Sequence, residues 1–335
     1  MNGDMTGTFP KITIVTPSLN QVRFIEETIL SVIHQGYPAL EFIVIDGGSN
    51  DGTTEILQSY EEHIDFWCSE KDKGQSDAVN KGFSKATGEL MTWLCSDDLL
   101  EPGALESVAA LYKKHPEGGL FVGRCRIFGD RRKESKLTPP SEDIAGHCLA
   151  GVPFAQPASF FTRKAFERCG PLDTMLHYGM DFALFQKIAL EFDIITDENV
   201  WASYRIHTGS KTGSRLRDFA VEWSRVFSRF LNSVSVQPSV LKRLREAGLL
   251  YEEEPALQHN LRFTEQEILR IVCHFLLDQF RIRYETLDRR EGLKIIRLIR
   301  TLDEDYLTAA RLSRPEFQLR YVPVPLFRFI RRLTR

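Results

Sequence analysis

The sequence lacks the features that would place it in a membrane or in an oxidising compartment. It contains no run of about 18 apolar residues, the length that a membrane-spanning helix needs. The segment Met1–Pro10 has neither the basic nor the apolar stretch of a secretory signal. None of the six cysteines pairs with another at metal-knuckle spacing, and a chain this long needs no disulfides. We therefore predict a cytoplasmic protein with reduced, mostly buried thiols.

The sequence also lacks a large charge of either sign and the phosphate loops of several enzyme classes. With 43 basic and 46 acidic residues, the formal net charge of -3 gives no electrostatic basis for binding nucleic acid. No G-x-G-x-x-G motif follows the first apolar strand, which argues against a dinucleotide-dependent oxidoreductase. The segment Thr16–Gln21 contains no glycine, which argues against a nucleotidyltransferase.

Short apolar strands alternate with amphipathic helices in the first part of the chain. Four segments have the pattern of strands: Lys11–Thr16, Phe42–Ile45, Ile64–Trp67 and Leu90–Leu94. This alternation predicts an α/β fold with a central, mostly parallel sheet that has helices on both faces. In such a sheet, the polar residues that follow the strands line a ligand crevice at the carboxyl edge.

The pattern changes near residue 213. Beyond that point Thr264 and Glu267 form a capping box at the start of a helix, and residues such as Leu293 and Ile296 recur at helical spacing. A chain of 335 residues is long enough for about two domains. We therefore divide it into a catalytic domain, residues 1–213, and a helical C-terminal region, residues 214–335.

Two adjacent acidic residues, Asp97 and Asp98, follow the fourth predicted strand. Neighbouring carboxylates repel each other unless a cation or ligand compensates. Mg²⁺ and Mn²⁺ are hard ions that bind one or two carboxylates together with phosphate oxygens of a substrate. The alternative is an N-terminal helix cap with an acidic first turn. The pair by itself leaves both interpretations open.

Several other polar groups have both a functional and an ordinary interpretation. Asp46–Thr53 contains glycines that allow a ligand to approach the backbone, but it also fits a plain turn. Glu70–Gly82 is rich in hydrogen-bonding side chains at a helix start, and the alternative is a solvated helix face. Asp181 has the alternative of a helix N-cap, and His207 that of a structural histidine.

In order and approximate spacing, these motifs resemble the family 2 glycosyltransferases, which have a GT-A-type fold. The resemblance covers about residues 10–212. The motifs that carry it are Thr16–Gln21, Asp46–Thr53, Asp72–Gly82, Ser96–Asp98, Gln156–Phe161, Tyr178–Asp181 and Tyr204–His207. The sequence departs from the family at Lys71, where proline is common, and at Phe182–Leu184, where many relatives have a second acidic residue.

The resemblance implies a role for each matching residue. Residues that would bind the nucleotide sugar are Pro17 and Asn20 at the pocket wall, Asp46 as acceptor from the base, Asp72, Gln75, Ser76 and Asp77 near the nucleoside or sugar, Asp97 near the ribose, and Lys211 near a phosphate. Asp98 would hold Mg²⁺ or Mn²⁺ on the diphosphate, and His207 would complete the metal or phosphate shell. Asp181 would be the catalytic base.

The implied reaction is transfer of a sugar from a nucleoside diphosphate to a hydroxyl group of a glycan or lipid-linked glycan. The metal would neutralise charge on the departing diphosphate, and the base would take the proton of the hydroxyl. A single base predicts a single displacement with inversion, because a retaining mechanism needs a second carboxylate as nucleophile, by analogy with glycosidases. Asp46 favours UDP- or dTDP-sugars, although guanine nucleotides occur in similar enzymes. The alternative is a low-turnover nucleotide-sugar-binding subunit that acts as a scaffold for another transferase, and Asp98 and Asp181 argue against it.

The C-terminal segment Arg320–Arg335 mixes aromatic and aliphatic residues with arginines. Such a short basic segment suits an anionic membrane surface, and the alternative is a final helix that packs on the protein with its arginines in solvent. Peripheral attachment at the inner face of the cell membrane would bring the enzyme to a lipid-linked acceptor.

Overall fold

The computed structural model describes residues 9–129, 135–136, 143–258, 262–325 and 327. Their contacts divide the chain into two units, of which the first spans Met1–Glu142 and Phe154–Ile206 and the second spans Asp143–Pro153 and His207–Arg335. The second unit thus begins slightly before residue 214. It also includes a segment that the sequence division places in the first domain. This segment belongs to the second unit because its residues contact residues far away in sequence. His147 and Asp143 each pair with a residue 131 positions later.

The described part of the first unit contains nine strands. In chain order they are β1 Ile12–Ser18, β2 Leu40–Asp46, β3 Phe66–Ser69, β4 Leu90–Trp93, β5 Leu99–Leu100, β6 Leu120–Phe128, β7 Ser135–Lys136, β8 Ser159–Thr162 and β9 Ile194–Arg205. They form one sheet in the order β3-β2-β1-β4-β8-β6-β9-β5, and β7 pairs with β6. The predicted α/β fold is therefore confirmed.

The parallel part of the sheet comprises β3, β2, β1 and β4, the four strands that the sequence predicts. β6 and β9 are also parallel, whereas β8 runs antiparallel to both β4 and β6, and β5 runs antiparallel to β9. β3 begins two residues later than predicted, at Phe66, and β1 continues two residues beyond the predicted Thr16. β1 tolerates Pro17 because its pairing with β4 ends at Val15, so the missing N–H of the proline leaves no ladder bond unmade.

The helices are assigned here in chain order. They are α1 Ile25–Ile33, α2 Thr53–Ser59, α3 Gln75–Phe83, α4 Ala104–Lys114, α5 Ile144–Ala150, α6 Arg163–Cys169, α7 Met180–Glu191, α8 Lys211–Ser214, α9 Leu216–Leu231, α10 Pro238–Glu246, α11 Glu265–Glu285, α12 Arg289–Leu302, α13 Glu304–Ala309 and α14 Ser313–Tyr321. α5 and α8–α14 belong to the second unit.

Buried apolar side chains fill both faces of the sheet in the first unit. On one face Ile12 and Ile14 of β1 join a cluster with Ile25 and Ile29 of α1. On the other, a Cβ at position 82 of α3 would lie 2.3 Å from a methyl carbon of Val15, so only glycine lets α3 approach β1 this closely. These contacts pack α1 and α3 against opposite faces of the sheet.

The second unit is helical in the part that the structure describes. The predicted capping box at the start of α11 is present: Thr264 Oγ1 accepts from the backbone N–H of Glu267, and the Glu267 carboxylate accepts from the N–H of Thr264. The rings of Phe227 in α9 and Phe275 in α11 stack with centroids 4.1 Å apart. Within the described ranges, we find no helix that is both long and apolar enough to cross a membrane.

Candidate functional site

The loops that follow β1 and β2 are hydrogen-bonded to each other at the carboxyl edge of the sheet. The Ser49 hydroxyl accepts from Asn20 N–H at 2.7 Å, and Asn20 Oδ1 accepts from Asn50 N–H at 3.0 Å. Asn20 has a φ of +52°, a left-handed conformation that asparagine tolerates better than most residues. Pro17 is buried in the strand just before this loop. The loop is thus preformed, and the contacts of Pro17 and Asn20 with a nucleotide stay predictions.

Asp46, the last residue of β2, organises the second loop. Its side chain is buried, and its two carboxylate oxygens accept hydrogen bonds from Gly48 N–H, from both the N–H and the hydroxyl of Ser49, and from the hydroxyl of Ser69 in β3. These four bonds lie between 2.5 and 3.1 Å. The carboxylate therefore fixes the turn after β2, and its contact with a nucleotide base stays a prediction.

Asp72 lies against the turn after β2 because residue 47 is glycine. A Cβ at position 47 would lie 2.6 Å from Asp72 Oδ2, much closer than side-chain atoms approach each other. The other oxygen of Asp72 accepts from the N–H of Gly74 at 2.8 Å, just before α3. Asp72 is therefore placed between the loop after β2 and the start of α3, next to the crevice.

The first turn of α3, at the carboxyl edge of the sheet, is held by hydrogen bonds to the start of α7 and to the loop before α3. The buried Ser76 hydroxyl donates to the carbonyl of Leu176 at 3.0 Å and approaches the sulfur of Met180 at 2.9 Å. Asp77 accepts from Lys73 N–H at 3.1 Å and lies 3.6 Å from the ammonium of Lys81. Both side chains thus hold α3 in place, and their predicted contacts with the nucleotide sugar stay predictions.

The turn after β4 brings Cys95, Asp97 and Asp98 together. One potential metal-binding atom of each side chain lies within 4.8 Å of the others. Asp98 is 1% exposed, and its Oδ1 accepts from the N–H of Arg205 at 2.9 Å. Burial first, and then the nearby Asp97 carboxylate, raise the pKa of Asp98 well above its usual range.

This arrangement distinguishes between the two interpretations of the acidic pair. α4 begins at Ala104 with Gly103 as its N-cap, so Asp97 and Asp98 do not cap that helix. A buried carboxylate beside a second carboxylate is costly without a compensating positive charge. A divalent cation would supply that charge, and oxygen atoms are the ligands that Mg²⁺ and Mn²⁺ favour. The residues present therefore fit such an ion.

Arg205 at the end of β9 supports this turn, a role that the sequence does not predict. Its Nε donates to the backbone carbonyl of Asp97 at 2.9 Å, and its guanidinium group pairs with Glu27 of α1. The guanidinium carbon lies 4.9 Å from the ring centre of Phe24 and 4.5 Å from that of Phe128. Arg205 belongs to the Tyr204–His207 motif, but its partners lie more than 70 residues away, so sequence gave no sign of its contacts.

Asp181 lies in the first turn of α7 and is half-buried. The N-cap of α7 is Gly179, so the interpretation of Asp181 as an N-cap is wrong. The contact between Ser76 and Met180 joins the start of α7 to the start of α3, and Gln75 of α3 donates to the Cys95 sulfur at 3.2 Å. These contacts connect the start of α7, where Asp181 lies, to the acidic turn after β4 through the first turn of α3.

His207 and Lys211 belong to the second unit. His207 Nδ1 accepts from the N–H of Gly209 at 3.2 Å. Lys211 is the first residue of the four-residue helix α8, which Ser210 caps by accepting from the N–H of Gly213. The metal role of His207 and the phosphate role of Lys211 stay predictions.

Comparison with known proteins identifies a family model and relatives in bacteria. The model described as Glycosyl transferase family 2 matches residues 13–180. An uncharacterized glycosyltransferase of Rickettsia typhi is 23% identical over 296 residues, which cover 81% of this chain and 90% of the relative. A putative teichuronic acid biosynthesis glycosyltransferase of Bacillus subtilis is 39% identical over 143 residues, covering 42% of this chain but only 57% of the relative.

Two solved structures with this fold contain nucleotide sugars. TarS 1-349 of S. aureus in complex with UDP-GlcNAc has a TM-score of 0.54 at 16% identity, with 91% of each chain covered. The mannosyltransferase PcManGT of Pyrobaculum calidifontis in complex with GDP-Man and Mn²⁺ has a TM-score of 0.54 at 18% identity, with 96% of this chain and 83% of that chain covered. At these identities the likeness shows the fold alone.

Proposed function

The chain belongs to glycosyl transferase family 2, and on that premise we propose that it moves a sugar from a nucleoside diphosphate sugar to a hydroxyl group of a glycan or lipid-linked glycan, with inversion at the anomeric carbon. The observation that carries this proposal is the acidic turn after β4, where the carboxylate of Asp98 is buried beside that of Asp97. A binding site for a nucleoside diphosphate with a divalent cation explains why the fold retains so costly an arrangement.

In this proposal Asp98 holds Mg²⁺ or Mn²⁺, with Asp97 beside it and His207 as a further ligand predicted from sequence. The ion would neutralise the charge that develops on the departing diphosphate. The chain's own contribution is to hold Asp98 in place, since Arg205 N–H fixes one oxygen of its carboxylate. The Mn²⁺ in the complex of the structurally similar mannosyltransferase supports a metal-dependent reaction.

Asp181 acts as the base in this proposal. It lies in the first turn of α7, where the helix dipole favours a negative charge, and a carboxylate at this position is the kind of group that accepts a proton from a hydroxyl. The proton of the acceptor hydroxyl would pass to an Asp181 oxygen as the hydroxyl oxygen attacks the anomeric carbon. One base and no covalent intermediate give inversion.

The donor and acceptor are proposed from the resemblance and the relatives. UDP- and dTDP-sugars come first, and the UDP-GlcNAc complex of TarS agrees with the choice of a uridine nucleotide. GDP-sugars are the second choice, because PcManGT binds GDP-Man. The relative whose name refers to teichuronic acid supports a polysaccharide acceptor.

We also propose that the protein is cytoplasmic and attached peripherally to an anionic membrane surface. The predicted membrane segment is Arg320–Arg335, of which Leu326 and residues 328–335 lie outside the described residues. Phe317, just before this segment, and Tyr321, near its start, are 58% and 64% exposed, and their rings contact each other with centroids 5.2 Å apart. Exposed aromatic rings next to arginines suit the interface of such a membrane.

The test is release of nucleoside diphosphate from a panel of UDP-, dTDP- and GDP-sugars, with and without Mn²⁺. We expect slow, Mn²⁺-dependent release from one donor by the wild type, and a loss of at least about a hundredfold in Asp98→Ala and Asp181→Ala. Asp193→Ala, which changes an exposed aspartate of the same unit, is the matched control and should keep full activity. Tight nucleotide binding without release, even with acceptor extracts present, would instead favour a scaffold subunit.

A further inference from the structure

We infer that Asn80 of α3 is a positioning residue for the base, and that it acts by fixing the loop that leads to Asp181. This loop, residues 170–179, connects α6 to α7 and contains neither helix nor strand. The inference rests on the proposed function, because it concerns the same transfer step. It adds a residue that acts on the base through the backbone and not through the substrate.

The half-buried Asn80 side chain forms two hydrogen bonds with the backbone of one loop residue. Its Nδ2 donates to the carbonyl of Leu172 at 2.9 Å, and its Oδ1 accepts from the N–H of Leu172 at 3.0 Å. The amide thus pairs with Leu172 as a neighbouring β-strand would. An amide group offers a donor and an acceptor side by side, which a carboxylate or an apolar side chain of similar size does not.

This pair of bonds meets a requirement of the loop itself. Leu172 is 3% exposed, and buried backbone N–H and C=O groups are almost always paired in folded proteins. Because the loop has no strand beside it to supply these bonds, a side chain must supply them. Loss of the Asn80 amide should therefore leave both groups unpaired or release this part of the loop to water.

A second contact, one turn earlier on α3, extends the attachment to the start of α7. Ser76 donates to the carbonyl of Leu176 at 3.0 Å and approaches the sulfur of Met180 at 2.9 Å. Ser76 and Asn80 are four positions apart, so they lie on the same face of the helix. One face of α3 therefore holds the loop and the first residue of α7, and Asp181 follows that residue directly.

Other contacts fix the two helices independently of Asn80. Phe185 of α7 stacks on Trp93 of β4 with ring centroids 5.9 Å apart, and Gly82 lets α3 pack closely on Val15 of β1. Loss of the Asn80 amide should therefore loosen the loop and the first turn of α7 while both helices stay folded. A displacement of about 1 Å in a reacting group can cost about a hundredfold in rate.

The kinetic test compares Asn80→Ala and Asn80→Asp with the wild type and Asp181→Ala, using a sugar donor from which the wild type releases nucleoside diphosphate. Asn80→Asp keeps the shape of the side chain but replaces the donor to the Leu172 carbonyl with an oxygen that repels it. We expect kcat to fall about tenfold or more in both Asn80 variants, with the KM for the donor changed by less than about twofold.

The KM should hold because the start of α3 has bonds of its own. Asp72 accepts from the N–H of Gly74, and Asp77 accepts from the N–H of Lys73, so these side chains stay in place without Asn80. Asn199→Ala, at an exposed asparagine of the same unit, is the matched control and should keep the kcat of the wild type.

Hydrogen–deuterium exchange gives a readout that does not depend on activity. In Asn80→Ala, the amides of residues 171–181 should exchange about tenfold faster or more, whereas those of residues 184–191 should exchange at the rate of the wild type. A general loss of stability would instead speed exchange in both segments, so the local change separates positioning from unfolding.

The outcomes separate this inference from the proposed function. If Asp181→Ala is inactive but both Asn80 variants keep the kcat of the wild type, the positioning role is overturned and the transferase proposal stands. Unchanged exchange in residues 171–181 overturns it equally, as does a rise in the KM for the donor with kcat unchanged. If the wild type releases diphosphate from no donor, the transferase proposal itself fails, and the role of Asn80 in the transfer fails with it.

Discussion

Asp98→Asn should make the metal-free protein more stable and the metal-bound protein less stable than the wild type. Asparagine keeps an oxygen that can accept from Arg205 N–H, and it removes the charge that is buried beside Asp97. Replacing buried ionic groups with neutral side chains of similar volume is neutral or stabilises proteins by up to about 4 kcal/mol, and we expect a gain of about 1 kcal/mol or more here. Each kcal/mol raises the melting temperature of a unit of this size by about 2–4 °C.

Bound metal should make the wild type more stable than Asp98→Asn, the reverse of the order without metal. An ion present at a hundred times its dissociation constant stabilises the folded state by about 2.7 kcal/mol, and the variant should lose most of this gain. In EDTA at neutral pH the variant should therefore melt above the wild type, and with excess Mn²⁺ and UDP it should melt below it. Differential scanning calorimetry measures both, with Asp193→Asn as a control that shifts neither curve.

The pH dependence has a definite sign. Folding raises the pKa of Asp98, so the folded state binds this proton more tightly than the unfolded chain does. The loss of stability caused by the Asp98 carboxylate is therefore absent at a pH below its pKa in the unfolded chain. It grows as the pH rises toward the pKa of Asp98 in the folded protein. The advantage of Asp98→Asn in EDTA should therefore shrink on acidification. A variant that melts below the wild type in EDTA at neutral pH would refute the reasoning that the carboxylate is uncompensated.

Two further substitutions test contacts that the structure shows in the first unit. Arg205→Ala should lower the free energy of unfolding by about 1–3 kcal/mol, because it leaves the Asp97 carbonyl without this donor and removes the ion pair with the exposed Glu27. Urea denaturation measures this, and Arg168→Ala, at an exposed arginine, should change the free energy of unfolding by less than about 0.5 kcal/mol. Burial opposes ionisation of Glu41, but hydrogen bonds from Lys11, Thr13 and Thr87 prevail and lower its pKa to about 2. Its stabilising effect is present above the unfolded pKa of 4.5 and is lost as pH falls toward 2, so Glu41→Gln should be less stable than the wild type at neutral pH and equal to it at the acidic end. Denaturation curves measured across this pH range test the prediction. A difference in unfolding free energy between Glu41→Gln and the wild type that does not change with pH would contradict it.

The parts of the fold that follow from local pattern were predictable. β1, β2 and β4 are short apolar runs, and such runs form buried strands in α/β proteins. The Thr264 capping box depends only on residues three positions apart. The position of Asp98 at the sheet edge follows in the same way, because it comes directly after such a strand. The direction of β8 did not follow, since an apolar segment such as Ser159–Thr162 carries no mark of which neighbour it will meet.

The parts that depend on distant partners were not predictable. The anchoring of Arg205 needs Glu27 and Asp97, which lie 178 and 108 positions away. The hydrogen bonds within the Asp46 loop and the exclusion of a side chain at Gly47 likewise depend on strands coming together in three dimensions. The sequence shows which residues have reactive or polar side chains. It does not show which of those side chains already form hydrogen bonds within the protein.

The segment Asp143–Pro153 interrupts the first unit in sequence while belonging to the second, so the chain passes from one unit to the other three times. Cutting the chain at residue 213 would leave His147 without Asp278 and Asp143 without His274, and would expose the face of α5 that α11 covers. Unlike domains joined by a single linker, these two units cannot be separated by one cut in the chain. A variant that ends at residue 213 would therefore carry Asp143–Pro153 without the helices that this segment contacts.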